Sequence, residues 1–419
     1  MASSEVSVKA LEKTVLILGA GFSKRAGFPL QAEILGRMPQ VQLEDWADQL
    51  RNEYYRTVGT VGEFLSKAFP VEPTEFAAGQ SVDLDGSKLP TLEDVFTLLD
   101  STIARREYSY GLSREQLETT RDDIKTAILF VIHHASQNIT AESRDFYQRL
   151  AAGVLDRRTK SGVASDPLSV ITLNWDTLLD DSIYQCVNRK NLSGKVDVDY
   201  CCYTNPIGDE SPHTPSLLQK AKGIFNIKIL KLHGSTNWLR CPSCNRLFTA
   251  IGSSAEAWTQ YIKPGYCENC SAVSSSTSKP VLEPFFVTPT FLKVFDNPHI
   301  QTIWQNAYVE LSEADKVVFV GYSLPDADYY VRTIIRRALR PTTRVVVYLA
   351  ENDFPKRNTP KYLLHGFASM RYRRFFGETR VEVHSGGVEE FLTDFSPEKN
   401  LKKVLRRVAD RIKKNSSAN

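Results

Sequence analysis

The sequence predicts an α/β protein built on a doubly wound parallel sheet, and three observations carry that prediction. Short apolar runs recur along the chain, each ending where polar chemistry begins, as strands buried on both faces do. Helical patterns separate these runs, as parallel crossovers require. The 419 residues, 42% hydrophobic and 24% charged, suffice for a large core and lie far from disordered composition.

In chain order the expected strands are "TVLILG" (14–19), "LSVITLN" (168–174), "IKILKLHG" (227–234), "KVVFVGYSL" (316–324) and "RVVVYLAEND" (344–353), with a weaker "RVEVHS" at 380–385. The first runs through a glycine turn into a helix, which makes the sheet Rossmann-like. Between it and the second strand, residues 30–165 read as a helical insertion covering one end of the sheet. Thr91 after Pro90 is an expected N-cap, and Ser113 with Gln116 has capping-box spacing. Residues 238–285 form a second insertion, which contains the Ser-rich "SAVSSSTSK". It contains "CPSC" (241–244) and "CENC" (267–270) with 22 residues between them. Two such knuckles suit tetrahedral zinc, so Cys241, Cys244, Cys267 and Cys270 are the expected ligands of a small zinc-binding module. Four thiolates leave no open coordination position, which makes the ion structural. Cys186, Cys201 and Cys202 read as plain thiols. At the C-terminus, Leu401, Val404, Leu405, Val408 and Ile412 share a helical face opposite basic residues, as in a solvated docking helix. The expected division is a catalytic domain over 1–386 and a helical tail over 387–419.

The N-terminal "MASSEVSVKALEK" has no apolar signal core and no run of eighteen apolar residues occurs, so a soluble, cytoplasmic protein without membrane contact is expected. The net charge of +3 does not argue for nucleic acid, and the basic tail alone does not support direct nucleic-acid binding.

Candidate chemistry gathers at the strand ends, where open α/β sheets bind ligands. Gly19 and Gly21 permit a sharp turn and close approach to a pyrophosphate, and Ser23 adds a hydroxyl. Lys24 stands where a dehydrogenase fingerprint places its third glycine, and no GK[ST] follows, so neither a classical dehydrogenase nor a P-loop is indicated. Asn174 and Asp176 could orient a water, a ribose hydroxyl or a carboxamide, or could simply cap the next helix. His233 before Gly234 is placed for acid–base work near neutral pH. Gly321 and Ser323 offer backbone approach and a hydroxyl, and Glu351 or Asn352 could hold ribose hydroxyls.

Together these segments resemble a sirtuin. The "GAG-x-S" loop (Gly19, Ala20, Gly21, Ser23) comes first, then "TLNWD" against T-Q-N-I-D, "KLHGS", the two cysteine knuckles, and "GYSL" against G-T-S-L. The resemblance implies NAD-cleaving roles for Asn174, Asp176 and His233, and NAD contacts for the glycine loop, Gly321 and Ser323. NAD+ would then be a substrate to be cut. The chain departs from the deacylases at "GFPLQAEIL", which lacks their Phe–Arg pair, and at Leu173 and Trp175. In "KPVLEPFFVTPTFLKVF", Pro280, Pro284 and Pro289 remove ladder donors, so a poor edge for an added peptide strand is expected. What remains resembles the sirtuin-like NAD glycohydrolases of bacterial antiphage defence. That resemblance implies a homo-oligomer and a HerA-type hexameric DNA-translocating ATPase as partner. An NAD-dependent protein deacylase and a non-catalytic NAD sensor are the alternatives.

Overall fold

A computed structural model describes residues 12–43, 46–71, 76, 89–161, 165–206, 223–249, 265–273, 279–291 and 296–395. The strands of the main sheet are β1 (Thr14–Leu18), β2 (Leu168–Thr172), β3 (Val196–Asp199), β5 (Phe225–Lys231), β9 (Lys316–Val320), β10 (Arg344–Tyr348) and β11 (Val381–His384). All pair in parallel, in the order β11-β10-β9-β1-β2-β5-β3. β1 lies at the centre, with Thr14 facing Leu168 on one side and Lys316 on the other. Every residue of β1 and β2 is buried, the burial on both faces that their continuous apolar runs imply.

The helices are α1 (Ala20–Lys24), α2 (Ile34–Arg37), α3 (Asp48–Ala68), α4 (Leu92–Arg105), α5 (Arg114–Gln137), α6 (Ala141–Thr159), α7 (Leu178–Arg189), α8 (Glu268–Val273), α9 (Pro298–Glu313), α10 (Tyr329–Ala338), α11 (Ala368–Phe376) and α12 (Gly387–Phe395). α6 packs on β2, β5 and α7, and α12 packs on β9, β10 and α6; α9 packs on β5 and against α10. α3, α4 and α5 pack together within the segment expected to be helical. The start signals read in the sequence are present: Thr91 Oγ1 accepts from the Asp94 N–H at 3.1 Å, and Ser113 and Gln116 form their reciprocal box. No helix among the described residues is long and apolar enough to cross a membrane.

Two features depart from the reading of apolar runs. β3, "VDVD", alternates and lies at the sheet edge, so it lacks the apolar run that marks the central strands. A second sheet, with β4 (Asn205–Pro206), β7 (Leu247–Thr249), β6 (Gly234–Arg240) and β8 (Glu283–Phe286) in the order β4-β7-β6-β8, is built from polar or short segments. Pro284 does not abolish β8; it sits on the sheet's edge strand, opposite Leu239, where a missing ladder donor is tolerated. The expected C-terminal tail continues from α12 into 396–419, which lie outside the described residues, as does 274–278 of the Ser-rich stretch.

Candidate active site

The carboxyl ends of β1, β9, β10 and β11 open onto a crevice of about 800 Å³. A smaller pocket of about 70 Å³ lies against Trp175, Asp176 and Val287. Ala20, Gln31, Leu173, Asn174, His233 and Asp328 line both, so the two lobes meet there.

The floor of the crevice is backbone packed on backbone. The Gly19 N–H donates to the Val320 carbonyl at 3.1 Å and the Gly21 N–H to the Gly321 carbonyl at 2.8 Å. A Cβ on Gly19 would lie 2.6 Å from Tyr322 Cα, and one on Gly21 2.7 Å from the Gly321 oxygen. Gly321 has φ +61°, and its Cβ would come within 2.2 Å of the Phe22 nitrogen. These glycines are thus required by loop-on-loop contact, a reason that exists before any ligand enters.

Asn174 follows β2 and is held by that floor. Its Nδ2 donates to the Gly19 carbonyl at 2.9 Å and to Ser23 Oγ at 3.1 Å. Both amide hydrogens being committed, Oδ1 is the valence left for a ligand or water. Ser23 Oγ in turn donates to Asp176 Oδ2 at 2.8 Å, while Asp176 Oδ1 accepts from the Leu178 N–H at 3.1 Å. Asp176 therefore faces two ways: Oδ2 joins the hydrogen-bond chain through Ser23 to Asn174, and Oδ1 holds the first turn of α7. Burial raises its pKa, opposed by the Lys231 charge, the Ser23 hydroxyl and the Leu178 N–H.

Lys231 ends β5 with no exposed surface. Its Nζ donates to the Asp176 carbonyl at 2.6 Å and to Asp180 Oδ2 at 3.1 Å, and Tyr200 Oη donates to the same Asp180 oxygen at 2.8 Å. Removing one partner of a pair this deeply buried costs about 3–5 kcal/mol. This support was not read from the sequence, although a lone lysine inside "IKILKLHG" is its signal. His233 follows two residues later, 9% exposed, and its carbonyl accepts from the Val287 N–H at 2.8 Å. Gly234, at φ +70°, turns the chain into β6.

On the other wall the loop 321–328 is braced from outside. Tyr372 Oη donates to the Tyr322 carbonyl at 2.9 Å, Arg371 Nε to the Ser323 carbonyl at 3.0 Å, and Tyr322 Oη to Asp328 Oδ2 at 2.9 Å. Leu324, wholly buried, adopts φ +50° there. At the rim, Lys24 pairs with Glu33, while Arg25 pairs with Glu142 at 2.6 Å and with Glu389.

Of the residues expected at the site, Gly19, Ala20, Gly21, Asn174, His233, Gly321, Ser323 and Glu351 line the large crevice, and Ser23 and Asp176 line the small pocket. Asn352 lines neither. Sequence reading missed Gln31, Asp328, the α4 start at Thr91 and Glu93, and Ser385–Gly387, all of which line the crevice. The "SGG" after the sixth strand was the readable signal among them.

The four cysteines of the knuckles converge beside β6 and α8, their sulfurs all within 4.8 Å of one another. Cys241 Sγ lies 3.8 Å from Cys270 Sγ, and Cys244 Sγ 3.7 Å from Cys267 Sγ. The edge of a zinc tetrathiolate with bonds of about 2.3 Å is about 3.8 Å, so the donor set and its spacing fit that ion.

No protein-family model matches the chain, and no curated protein does. Among solved structures it is similar to a Sir2 homologue in complex with NAD (13% identity, 94% of this chain and 91% of that one, TM-score 0.39). It is also similar to Sir2 bound to an acetylated peptide (14%, 93% and 94%, 0.36) and to Sir2Tm bound to a propionylated peptide (14%, 93% and 93%, 0.35). At these identities and TM-scores, the chemistry has to be argued from this chain's own residues.

Proposed function

We propose that the protein binds NAD+ across the two lobes and hydrolyses its bond between nicotinamide and ribose. The observation that carries this reading is the position of Asn174 and His233 at the junction of a dinucleotide-sized crevice and a small, mainly apolar pocket. The small pocket takes nicotinamide and the crevice takes ADP-ribose, which puts the scissile C1′–N bond at the junction. Asp176, with Ser23, addresses the carboxamide; Glu351 addresses a ribose.

Nicotinamide leaves as a neutral ring when the C1′–N bond breaks, so the leaving group needs no proton. Asn174 Oδ1 orients a water and a ribose hydroxyl, the water oxygen bonds to C1′, and His233 takes the proton, directly or through a ribose hydroxyl. General-base assistance of this kind contributes about 10²- to 10⁴-fold. The cysteine cluster holds a structural zinc away from this chemistry. An ungated NAD+ hydrolase would empty its own cell. We therefore propose a cytoplasmic effector of antiphage defence, gated by homo-oligomerisation or by a HerA-type hexameric translocase.

The second reading, an NAD-dependent protein deacylase, is favoured by β8: it is an edge strand that runs into Val287 and Thr288 on the small pocket's wall. One assay separates the readings: NAD+ consumption followed by chromatography, with and without an acetylated peptide, for the wild type, Asn174→Ala and His233→Ala. Nicotinamide and ADP-ribose without peptide, reduced at least about 10²-fold in both variants, is the expected outcome. Turnover only with peptide would make the protein a deacylase. Tight binding of intact NAD+ with no turnover would make it a sensor.

A further inference from the structure

Residues 329–380 contain twelve Lys and Arg against three Asp and Glu, a net charge of +9 inside a chain whose total is +3. Two of those three acids, Glu351 and Asp353, line the crevice. α10 and α11 are the successive crossovers from β9 to β10 and from β10 to β11, and they are clamped together where Arg332 and Arg336 lie over the Phe375 ring, 5.1 and 4.5 Å from its centroid. Eight exposed cations belong to this region; Arg340 pairs with Asp315 and Arg344 with Glu12, which leaves Arg336, Arg337, Lys356, Arg357, Lys361 and Arg374. None of these six has a carboxylate partner among the described residues, unlike Lys24 and Arg25 at the crevice rim. The same stretch carries exposed tyrosines: Tyr329 is 69% and Tyr362 78% exposed, with Tyr330 beside Tyr329.

We propose that this face binds single-stranded nucleic acid. Arginine dominates the cations, and its planar fork suits phosphate oxygens better than a lysine point charge does. Exposed tyrosines between the cations supply stacking platforms, which only unpaired bases can use. Tyr329 follows directly on Asp328 of the crevice wall, so a bound strand would run past the mouth of the candidate active site. An acidic protein would also meet the charge, and the response to a base-free polyanion separates the two.

The test is fluorescence anisotropy of a labelled oligodeoxythymidine against the full-length protein over a salt series, with heparin as a base-free polyanion. Six phosphate contacts predict a log–log salt slope of about −4. The combined Arg337→Glu, Arg357→Glu and Arg374→Glu variant should bind at least about tenfold more weakly, with the slope shallower by about 2. The combined Tyr329→Ala and Tyr362→Ala variant should also lose about tenfold or more on the oligonucleotide while binding heparin unchanged. All five side chains are solvent-facing, and unchanged melting temperatures would verify the fold of both variants. Absence of binding by the wild type at about 50 mM salt overturns the proposal. So does full binding by the charge-reversal variant, which would place the contact elsewhere, for instance in the basic C-terminal segment. An unaffected tyrosine variant with equal avidity for heparin overturns it in favour of an acidic protein partner. NAD+ turnover is read in none of these arms.

Discussion

The crevice floor and the cysteine module are built on opposite principles. In the floor, Gly19, Gly21 and Gly321 hold two loops together by direct backbone contact that leaves no space for one additional carbon. In the module, the core is a small one of Leu239, Leu282 and two buried cysteines, and four cysteine sulfurs gather at a spacing that suits a zinc ion. The floor is therefore expected to be vulnerable to sterics and indifferent to chelators, and the module the reverse. Each region can be broken without the other, which makes the difference measurable.

The largest effect expected is from Gly321→Ala. It forces a side chain onto φ +61° and a Cβ to 2.2 Å from the Phe22 nitrogen, so the loops must part. Displacing Ser23 and Asn174 by about 1 Å should cost about 10²-fold in NAD+ turnover. Gly59→Ala is the control: its Cβ meets nothing within 4 Å, and in the middle of α3 it should leave turnover intact and raise stability by up to about 1 kcal/mol. Equal effects of the two substitutions, read by assay and thermal melts, would remove the steric account of the floor.

Next comes the module. Cys267→Ser, or a strong chelator, should strip zinc by metal analysis and abolish hydrogen-exchange protection in β7 and α8, while β1 and β2 keep theirs. Simultaneous loss of protection in the main sheet would mean that the regions are one cooperative unit.

The smallest effect concerns Asp176. Its folded pKa is raised, chiefly by burial, so the folded state binds this proton more tightly than the unfolded chain does. The stability it contributes is complete below the unfolded value of about 3.9 and is lost as pH rises through the folded pKa. Asp176→Asn keeps an acceptor for the Leu178 N–H and carries no charge, so its denaturation midpoint should gain on the wild type as pH rises from about 4. A gap that narrows with rising pH would show that Lys231 and Ser23 outweigh the burial.

The five strands inside the sheet, β1, β2, β5, β9 and β10, were legible because burial on both faces writes itself as a continuous apolar run, whereas β11, at the edge, gave only a weaker pattern. β3 and the second sheet were not, since edge or partly solvated strands carry weaker patterns. Asn174, His233 and the glycines were legible because each follows an apolar run directly. Lys231 was hidden by its own position inside one, and Asp328 and Gln31 belong to loops whose course no periodicity marks.

The sequence by itself determined the sheet, the order of the strand-end residues and the pairing of the cysteines into knuckles, because burial, capping and ligand spacing are local demands written within a few residues. Only the tertiary structure decided that Gly19 and Gly21 pack against a loop three hundred residues away, that Asp176 divides its oxygens between Ser23 and the next helix, and that Arg332 and Arg336 of one crossover meet Phe375 of the next. Those are relations between distant segments, and they come into existence only when loop closure brings the segments together.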